Sequence, residues 1–380
     1  MLTRLLKSAA AGALSFSGAD AVLGRHLAPS DLPLVIGYHR VVRDFAASAR
    51  QSLPAMLIST QMLSRHLDWL GERFDLVSLD DIAEIVCGNR GPRRGKPPAA
   101  VTFDDGYADF YDHAFPILEK RRVPAAIFVV TDLIGTRRMQ THDRLFLALD
   151  RFMSVSRARG GRMESLLDDA GVDPRAVRTL RRRLADPADA TAALLEVLPP
   201  HRIERVIEAA GGDPALAPSA LAPFEPLSWS MLIEMRRAGV TVGSHTRSHL
   251  VLTNADRAAA HLEARDSRRV LETMLGTEIR HFAYPAGRFD PESVAAVGEA
   301  GYGFAYTTCR HQDPARPELT IPRTVFWERT CLDAFDRFSP AMMSCQVHRV
   351  FDFRRACRHE KAAPAGCAAR PPIPRLGAAS

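Results

Sequence analysis

Two adjacent carboxylates, Asp104 and Asp105, end an apolar run in the stretch Val101-Thr102-Phe103-Asp104-Asp105-Gly106-Tyr107. The apolar residues 99–103 are continuous rather than alternating, which predicts a buried parallel strand. Two carboxylates at the end of such a strand are costly unless a cation or hydrogen bonds compensate them. Gly106 permits the chain to break there, so both carboxylates can face one site. An Asp-Gly pair is also a common turn, so this stretch alone supports a turn and a functional site equally.

Two histidines four residues apart, His245 and His249, follow a second predicted strand at 240–243. Residues at this spacing share a face of one helical turn, and imidazole is a common ligand of zinc. Taken alone, the pair is more often two exposed histidines than a metal site. Its place after a strand, in a chain that also has Asp104 and Asp105, favours a metal site. Two histidines and one carboxylate leave room for water, whose proton a second carboxylate can remove.

The elements that must position these residues alternate between strand and helix, which indicates a parallel sheet. The predicted strands are 33–38, 99–103, 124–130, 240–243, 282–284, 304–307 and 322–327. Every polar cluster falls just after a strand, where barrel-type α/β folds place their chemistry. Between the two blocks of strands, residues 136–225 have helical patterns and no convincing strand, so we interpret them as a helical insertion.

Three motifs resemble those of the polysaccharide deacetylase family, also described as the NodB-homology group or carbohydrate esterase family 4. They are Thr102-Phe103-Asp104-Asp105-Gly106, His245-Thr246-Arg247-Ser248-His249 and Phe282-Ala283-Tyr284-Pro285-Ala286-Gly287, and they occur in the family's order. The resemblance covers residues 33–135 and 226–330. It implies a deformed (β/α) barrel and a hydrolase that removes N- or O-acetyl groups from a glycan.

The resemblance also implies a role for each charged residue of the motifs. Asp104 is the general base, and Asp105, His245 and His249 bind a divalent metal, which we expect to be zinc. The residues of the same motifs that we assign to the substrate groove are Tyr107, Tyr284 and Pro285.

The chain departs from the family pattern in three places. Ala283 stands where an arginine usually tethers the base aspartate, and Ala286 stands where an aromatic residue usually follows the proline. The late Leu-x-His that usually supplies a general acid is not found. Arg288 or Arg323 could replace the tether, and Arg323 is counted among the candidate catalytic residues. His39, directly after the first strand, is a candidate general acid or substrate contact, or simply a hydrogen-bonded histidine at a strand end.

The expected partner is an N-acetylated polysaccharide or oligosaccharide. Two alternatives stay open: a hydrolase of a linear amide or acyl ester that is not a glycan, and a catalytically weak barrel that binds carbohydrate. No nucleic acid is expected, because the net charge of +6 comes from scattered arginines without interleaved aromatic residues. The six cysteines form no Cys-x-x-Cys pair, which favours free thiols in a reducing compartment.

The N-terminus begins with basic residues, continues as a weakly apolar stretch and reaches Ala19-Asp20-Ala21, which resembles a cleavage site. Its larger apolar residues nevertheless fit one helical face: Leu2, Leu5, Leu6, Ala9, Ala13 and Phe16. We therefore expect a retained amphipathic helix with peripheral membrane contact. A cytoplasmic or membrane-peripheral location is favoured, and export to the periplasm is the alternative.

These patterns divide the chain into five segments. They are an N-terminal amphipathic or signal-like segment (1–30), the first part of the barrel (31–135), the helical insertion (136–225), the second part of the barrel (226–335) and a partly disordered C-terminal extension (336–380). Because the predicted strands lie outside the insertion, we expect a barrel without residues 140–220 to fold and to bind metal.

Overall fold

A computed structural model of the protein describes residues 2–27, 32–89, 95–159, 163–213 and 218–351. Its strands are β1 (Leu34–Tyr38), β2 (Arg40–Val42), β3 (Leu57–Ser59), β4 (Asp75–Leu76), β5 (Pro98–Phe103), β6 (Ala125–Val129), β7 (Thr241–Ser244), β8 (His281–Ala283), β9 (Phe304–Thr307), β10 (Ile321–Pro322) and β11 (Thr324–Val325). Nine of them form a parallel sheet in the order β10-β9-β8-β7-β6-β5-β1-β11, with β4 beside β5. β2 and β3 pair separately.

One extended segment, residues 321–325, closes this sheet into a barrel. Its first half, β10, pairs with β9, and its second half, β11, pairs with β1 at the opposite edge. Arg323 lies between the two halves, and its backbone N–H donates to the carbonyl of Thr307 at 2.6 Å. The predicted fold class, a deformed (β/α) barrel, is therefore confirmed. The single strand predicted at 322–327 is wrong in detail, because the chain changes partner at Arg323.

Helices surround the barrel and fill the insertion. The α-helices are α1 (Leu2–Ser17), α2 (Ala19–Leu27), α3 (Phe45–Ser48), α4 (Thr60–Arg73), α5 (Leu79–Val86), α6 (Phe115–Arg121), α7 (Thr141–Arg159), α8 (Met163–Asp169), α9 (Pro174–Leu180), α10 (Pro187–Val197), α11 (Pro200–Ala209), α12 (Pro218–Leu221), α13 (Trp229–Arg237), α14 (Arg257–Leu275), α15 (Pro291–Glu299) and α16 (Pro340–Val347). Short 3-10 turns and one π turn, Phe110–Ala114, connect some of them. No helix among the described residues is long and apolar enough to cross a membrane.

The strands read as continuous apolar runs because both of their faces are buried. Ala100 and Phe128 pack in one cluster with Val35, whereas Val101 and Ile127 pack in a second cluster on the opposite face. Side chains alternate along a strand, so Thr102 and then Asp104 continue the face of Ala100. This alternation places Asp104 on the inner side of the barrel, at the end of β5.

The insertion has a hydrophobic core of its own. Apolar residues between Leu145 and Ala210, on helices α7 to α11, form a cluster distinct from those of the barrel. The described residues of 136–225 contain helices and no strand. Strands β2, β3 and β4 were not predicted, because segments of two or three residues leave no readable periodicity. The C-terminal extension, predicted at 336–380 as partly disordered, contains α16 in its described part, and residues 352–380 lie outside the described residues.

Candidate active site

The loop after β5 turns sharply at the two aspartates. Asp105 and Gly106 both have a positive φ, 74° and 76°. A side chain at Gly106 would also meet Val129 Cγ1 at 3.0 Å, so glycine is required there on both counts. Asp105 bears the strain that this conformation costs a non-glycine residue, and such strain concentrates at functional sites. The turn sends the two carboxylates to different partners.

Asp105 lies between the two histidines of the second motif. Its Oδ1 is 3.6 Å from Nε2 of His245 and 3.3 Å from Nε2 of His249. These three residues are the only group of metal-ligating side chains of this kind among the described residues. The sequence placed them after two separate strands, and the tertiary structure brings them together.

This cluster fits a divalent cation. Both carboxylate oxygens of Asp105 are buried without a well-formed hydrogen bond. A buried carboxylate in that condition is costly unless a cation compensates it. His245 Nδ1 lies 2.7 Å from the carbonyl of Ala283, so Nδ1 carries the hydrogen and Nε2 has a free lone pair towards Asp105. Burial lowers the pKa of His245 to about 4, which keeps the imidazole neutral near pH 7.

The loop that carries His245 and His249 is fixed by hydrogen bonds to one buried carboxylate, that of Glu263. Glu263 of α14 accepts hydrogen bonds from the backbone N–H groups of Arg247 and Ser248, at 3.0 and 2.8 Å. Its other oxygen accepts from the Ser248 hydroxyl at 2.8 Å. His249 itself has a φ of 64°, so its position depends on this support. Sequence analysis missed Glu263, because it is one acid among many on an amphipathic helix.

Asp104 is bound by Arg323 and not by the two histidines that face Asp105. The guanidinium donates to both carboxylate oxygens, at 2.7 and 2.8 Å, and the Arg323 side chain is 1% exposed. Burial would raise the pKa of Asp104, but the charge and hydrogen bonds of Arg323 together with the neighbouring imidazoles hold that pKa below its usual value. Arg323 thus stands where the family arginine would act. Arg288, the other candidate tether, instead donates to the carbonyl of Glu196 in the insertion.

His39 lies beside both carboxylates. The backbone N–H of Asp104 donates to the carbonyl of Tyr38, the residue before His39, at 2.9 Å. A positive charge on His39 lowers the pKa of both Asp104 and Asp105. Its ring is half-buried, with a buried Nδ1 that has no hydrogen-bond partner. The alternative interpretation of His39, as a hydrogen-bonded histidine at the end of a strand, is therefore wrong for its Nδ1 atom.

The residues assigned to the substrate groove are all buried. Tyr284 is fully enclosed and packs on Phe282 and Phe289, and Pro285 is buried beside it. Tyr107 is 2% exposed. The groove assignment is wrong for Tyr284 and Pro285, because the turn after β8 directs them into the core and leaves Ala286 exposed. Tyr107 reaches the site through its hydroxyl only.

The start of α7 supplies polar groups that sequence analysis missed. The Tyr107 hydroxyl donates to Asp143 at 2.5 Å and lies 2.6 Å from Nε2 of His142. Since that hydroxyl has one hydrogen, His142 Nε2 is the donor of the second bond. The His142 ring lies 5.4 Å from the His249 ring, and the Gln140 side-chain amide donates to the Asp105 carbonyl at 3.1 Å. The insertion is therefore part of the site, which weakens the prediction that residues 140–220 are dispensable.

A second buried ion pair, between Arg40 and Asp109, packs against Tyr107. Sequence analysis missed this pair as well. Arg40 Nε lies 3.0 Å from Asp109, and its guanidinium stacks 4.7 Å from the Tyr107 ring. Arg40 also donates to the Ser52 hydroxyl at 2.8 Å and to the carbonyl of Pro223. It joins the first strand, the loop after β5 and the exit of the insertion. Its sequence signal, one arginine after a strand, is not distinguishable from the other arginines.

Comparison with known proteins points to one family. The model of the family described as polysaccharide deacetylase matches residues 91–160 and 185–305. The chain is similar to YxkH of Bacillus subtilis (strain 168), with 18% identity over 281 residues that make up 74% of this chain and 65% of that protein. It is also similar to the poly-beta-1,6-N-acetyl-D-glucosamine N-deacetylase of Staphylococcus epidermidis, with 27% identity over 111 residues, 27% of this chain and 37% of that protein.

The chain thus spans less than two thirds of the length of either relative. Among solved structures it is similar to the Streptococcus pyogenes deacetylase PplD in complex with acetate, with a TM-score of 0.49, 18% identity, and coverage of 78% of this chain and 93% of that one. The two matched blocks hold Asp104, Asp105, His245 and His249, whereas His39 and Arg323 lie outside them. Because the family model matches half of its length in blocks that contain these site residues, the chain belongs to the polysaccharide deacetylase family of hydrolases.

Proposed function

We propose that this protein is a metal-dependent deacetylase of an N-acetylated polysaccharide or oligosaccharide. The observation that carries the proposal is the division of labour between two adjacent carboxylates. The Asp105 carboxylate faces two imidazole nitrogens and has no other side-chain or backbone partner among the described residues, whereas Asp104 is held by Arg323. Asp105, His245 and His249 would hold the ion, and a nitrogen and oxygen donor set of this kind suits zinc.

The ion, when bound, would polarise the acetyl carbonyl and lower the pKa of water towards about 7. Asp104 accepts the proton of the attacking water. Its lowered pKa keeps it ionised at neutral pH, and the bidentate pair with Arg323 fixes its orientation. His39, beside both carboxylates and with an unpartnered Nδ1, is our candidate for protonating the leaving amine.

The choice of a glycan rests on the family and on the similarity to a poly-beta-1,6-N-acetyl-D-glucosamine N-deacetylase, which this chain matches over 37% of that protein's length. A linear amide or acyl ester remains the chemical alternative for the same site. The alternative of a catalytically weak barrel that binds carbohydrate depended on two departures from the family pattern. They are the missing arginine that tethers the base aspartate and the missing histidine that supplies a general acid. Arg323 bound to Asp104 removes the first of those two reasons.

A pair of isosteric variants tests the proposed roles. Asp104→Asn should retain zinc but lose about 10²–10⁴-fold in acetate release, because an amide cannot accept the proton. Asp105→Asn should lose zinc first and activity as a consequence. Zinc stoichiometry and acetate release from poly-N-acetylglucosamine, chitin oligomers and peptidoglycan are measured for both variants.

The two variants serve as controls for each other, since both remove one buried charge from neighbouring positions. Loss of zinc from Asp104→Asn alone would mean that the roles are exchanged. Full activity in Asp104→Asn would refute the mechanism. Turnover of simple amides or esters, with none of the three glycans deacetylated, would favour the alternative substrate.

A further inference from the structure

Helix α1 faces the solvent with most of its large apolar side chains and faces the protein with Ala11 and Leu14. Leu2, Leu6 and Phe16 are 71%, 63% and 96% exposed, whereas Ala11 is fully buried. The described part of the chain exposes twelve large apolar side chains, and six of them lie within residues 2–23. An ordinary surface helix does the reverse and turns its apolar stripe towards the core. The exposed stripe of α1, defined by Leu2, Leu6 and Phe16, therefore needs a separate explanation.

Contacts on the other side of α1 fix this orientation. Ala11 packs in a cluster with Met342 and Cys345 of α16. Arg4 pairs with Asp336 at 2.5 Å and also donates to the Asp333 carbonyl at 3.1 Å. The following helix, α2, approaches the end of α16 closely, because a Cβ on Gly24 would lie 2.8 Å from Cβ of His348. The α1 and α2 pair thus contacts the rest of the fold through Ala11, Leu14, Arg4 and Gly24, and the stripe of Leu2, Leu6 and Phe16 stays exposed to solvent.

The excess of basic residues in α1 and in the sequence after α16 favours an anionic partner, although Arg4 itself is paired with Asp336. Helix α1 has Arg4 and Lys7 and no acidic residue. Lys7 lies 4.4 Å from the centroid of the ring of Phe351, the last residue described. The sequence of 352–380 contains six basic residues and two acidic ones. A second copy of this chain would bring like charges together, which argues against self-association through the stripe.

We propose that α1 is an interfacial anchor whose stripe inserts into an anionic lipid surface. A helix of 16 residues with polar residues on its inner face lies in the plane of a bilayer rather than crossing it. Apolar burial supplies part of the binding, and attraction between basic side chains and anionic headgroups supplies the rest. This inference is independent of the proposed deacetylase activity.

Vesicle sedimentation with two matched double variants tests the anchor. Leu6→Glu with Phe16→Glu places two charges on the stripe. Leu262→Glu with Met274→Glu makes the same change of net charge at exposed apolar residues of α14, which are 45% and 43% exposed. The full-length protein should pellet with phosphatidylglycerol-containing vesicles and much less with pure phosphatidylcholine vesicles. The stripe variant should partition at least about tenfold more weakly, since burial of even two or three methylene groups is worth that ratio.

The α14 variant should bind like the unmodified protein, and both variants should keep its melting temperature. If both variants lost binding equally, the loss would be caused by the change in net charge and not by the stripe. That result would overturn the proposal. So would failure of the unmodified protein to pellet with anionic vesicles. A dimer in sedimentation velocity that only the stripe variant abolishes would assign the surface to a second copy. Mass spectrometry showing the purified protein cleaved after Ala21 would also overturn the anchor.

Discussion

At the scale of single residues, the site depends on a buried arginine that reaches its partner from the far end of the chain. Arg323 and Asp104 are 219 positions apart and form a bidentate pair at 2.7 and 2.8 Å. Ala283 occupies the position where the family resemblance predicts an arginine. In this chain the guanidinium that binds Asp104 comes instead from the strand segment that closes the barrel.

Removing that charge tests the pair. Arg323→Met should lower the free energy of unfolding by about 3–5 kcal/mol, because it leaves Asp104 buried without its counter-ion. Arg288→Met is the matched control, since Arg288 was the other candidate tether but binds the Glu196 carbonyl instead. Its cost should be about 1 kcal/mol, that of one ordinary hydrogen bond. Urea unfolding measures both, and similar costs for the two variants would contradict a special role of Arg323.

At the scale of elements, the first turn of α7 joins the insertion to the active site. Asp143 is fully buried and accepts a hydrogen bond from the hydroxyl of Tyr107, the second residue after Asp105. The same turn carries His142, whose ring centroid lies 5.4 Å from that of His249. The remaining helices of the insertion pack on α7 through their own apolar cluster. Through α7 they are connected to the turn that contacts the site.

Asp143→Ala should destabilise the protein by about 1–3 kcal/mol, because the buried Tyr107 hydroxyl loses its acceptor. It should also weaken zinc retention, since Tyr107 and the turn at Asp105 share one short loop. Asp150→Ala, on the same helix but half-buried, should change stability by less than about 0.5 kcal/mol. Unfolding curves and competition with a chromophoric chelator are the measurements. If both variants bind zinc equally tightly, the contact is structural only.

Replacing residues 140–220 with a short linker is the stronger test of the same element. The truncated chain loses Gln140, His142 and Asp143 together, so we now expect zinc binding to weaken even if the barrel folds. Circular dichroism melting separates the two effects. Cooperative melting with undiminished zinc affinity would show that the insertion only decorates the barrel.

At the scale of the whole molecule, a neutral histidine in the barrel core couples stability to pH. His66 on α4 packs against Phe326 and Phe338 and bonds to the Tyr38 hydroxyl at 3.1 Å. Its Nε2 is buried without a partner, and burial lowers the His66 pKa to about 3. An unfolded histidine titrates near about 6.5. Between these values the unfolded chain binds a proton that the folded chain does not, so stability falls as the pH falls.

The protein should therefore lose up to about 1.4 kcal/mol of stability per pH unit through His66 between pH 6.5 and the folded pKa. His66→Gln should remove that contribution and flatten the acid dependence. His201→Gln, at an exposed position of α11, should leave the dependence unchanged. Urea unfolding at pH 7 and pH 5 gives both slopes. An equally steep loss in His66→Gln and in the unmodified protein would show that other groups control acid stability.

The sequence by itself determined the barrel class and four central site residues. Asp104 and Asp105 could be found because a continuous apolar strand ends in two charges and a glycine, and His245 and His249 because their spacing follows another such strand. Chemistry at the ends of parallel strands is a local signal, and the family motifs coincide with it. The N-terminal helix was likewise visible as a stripe of apolar residues at helical spacing.

Only the tertiary structure decided which distant groups complete the site. Arg323 reaches Asp104 because the last strand segment changes partner at the closure of the barrel, and no local pattern encodes that change. His142, Asp143 and Glu263 occur on helices whose sequence shows only amphipathic packing.

Tyr284 and Pro285 looked like groove residues because of their motif, yet the turn after β8 buries them. Which side of α1 faces the solvent also depends on its contacts with α16, because periodicity defines a stripe but not what it faces.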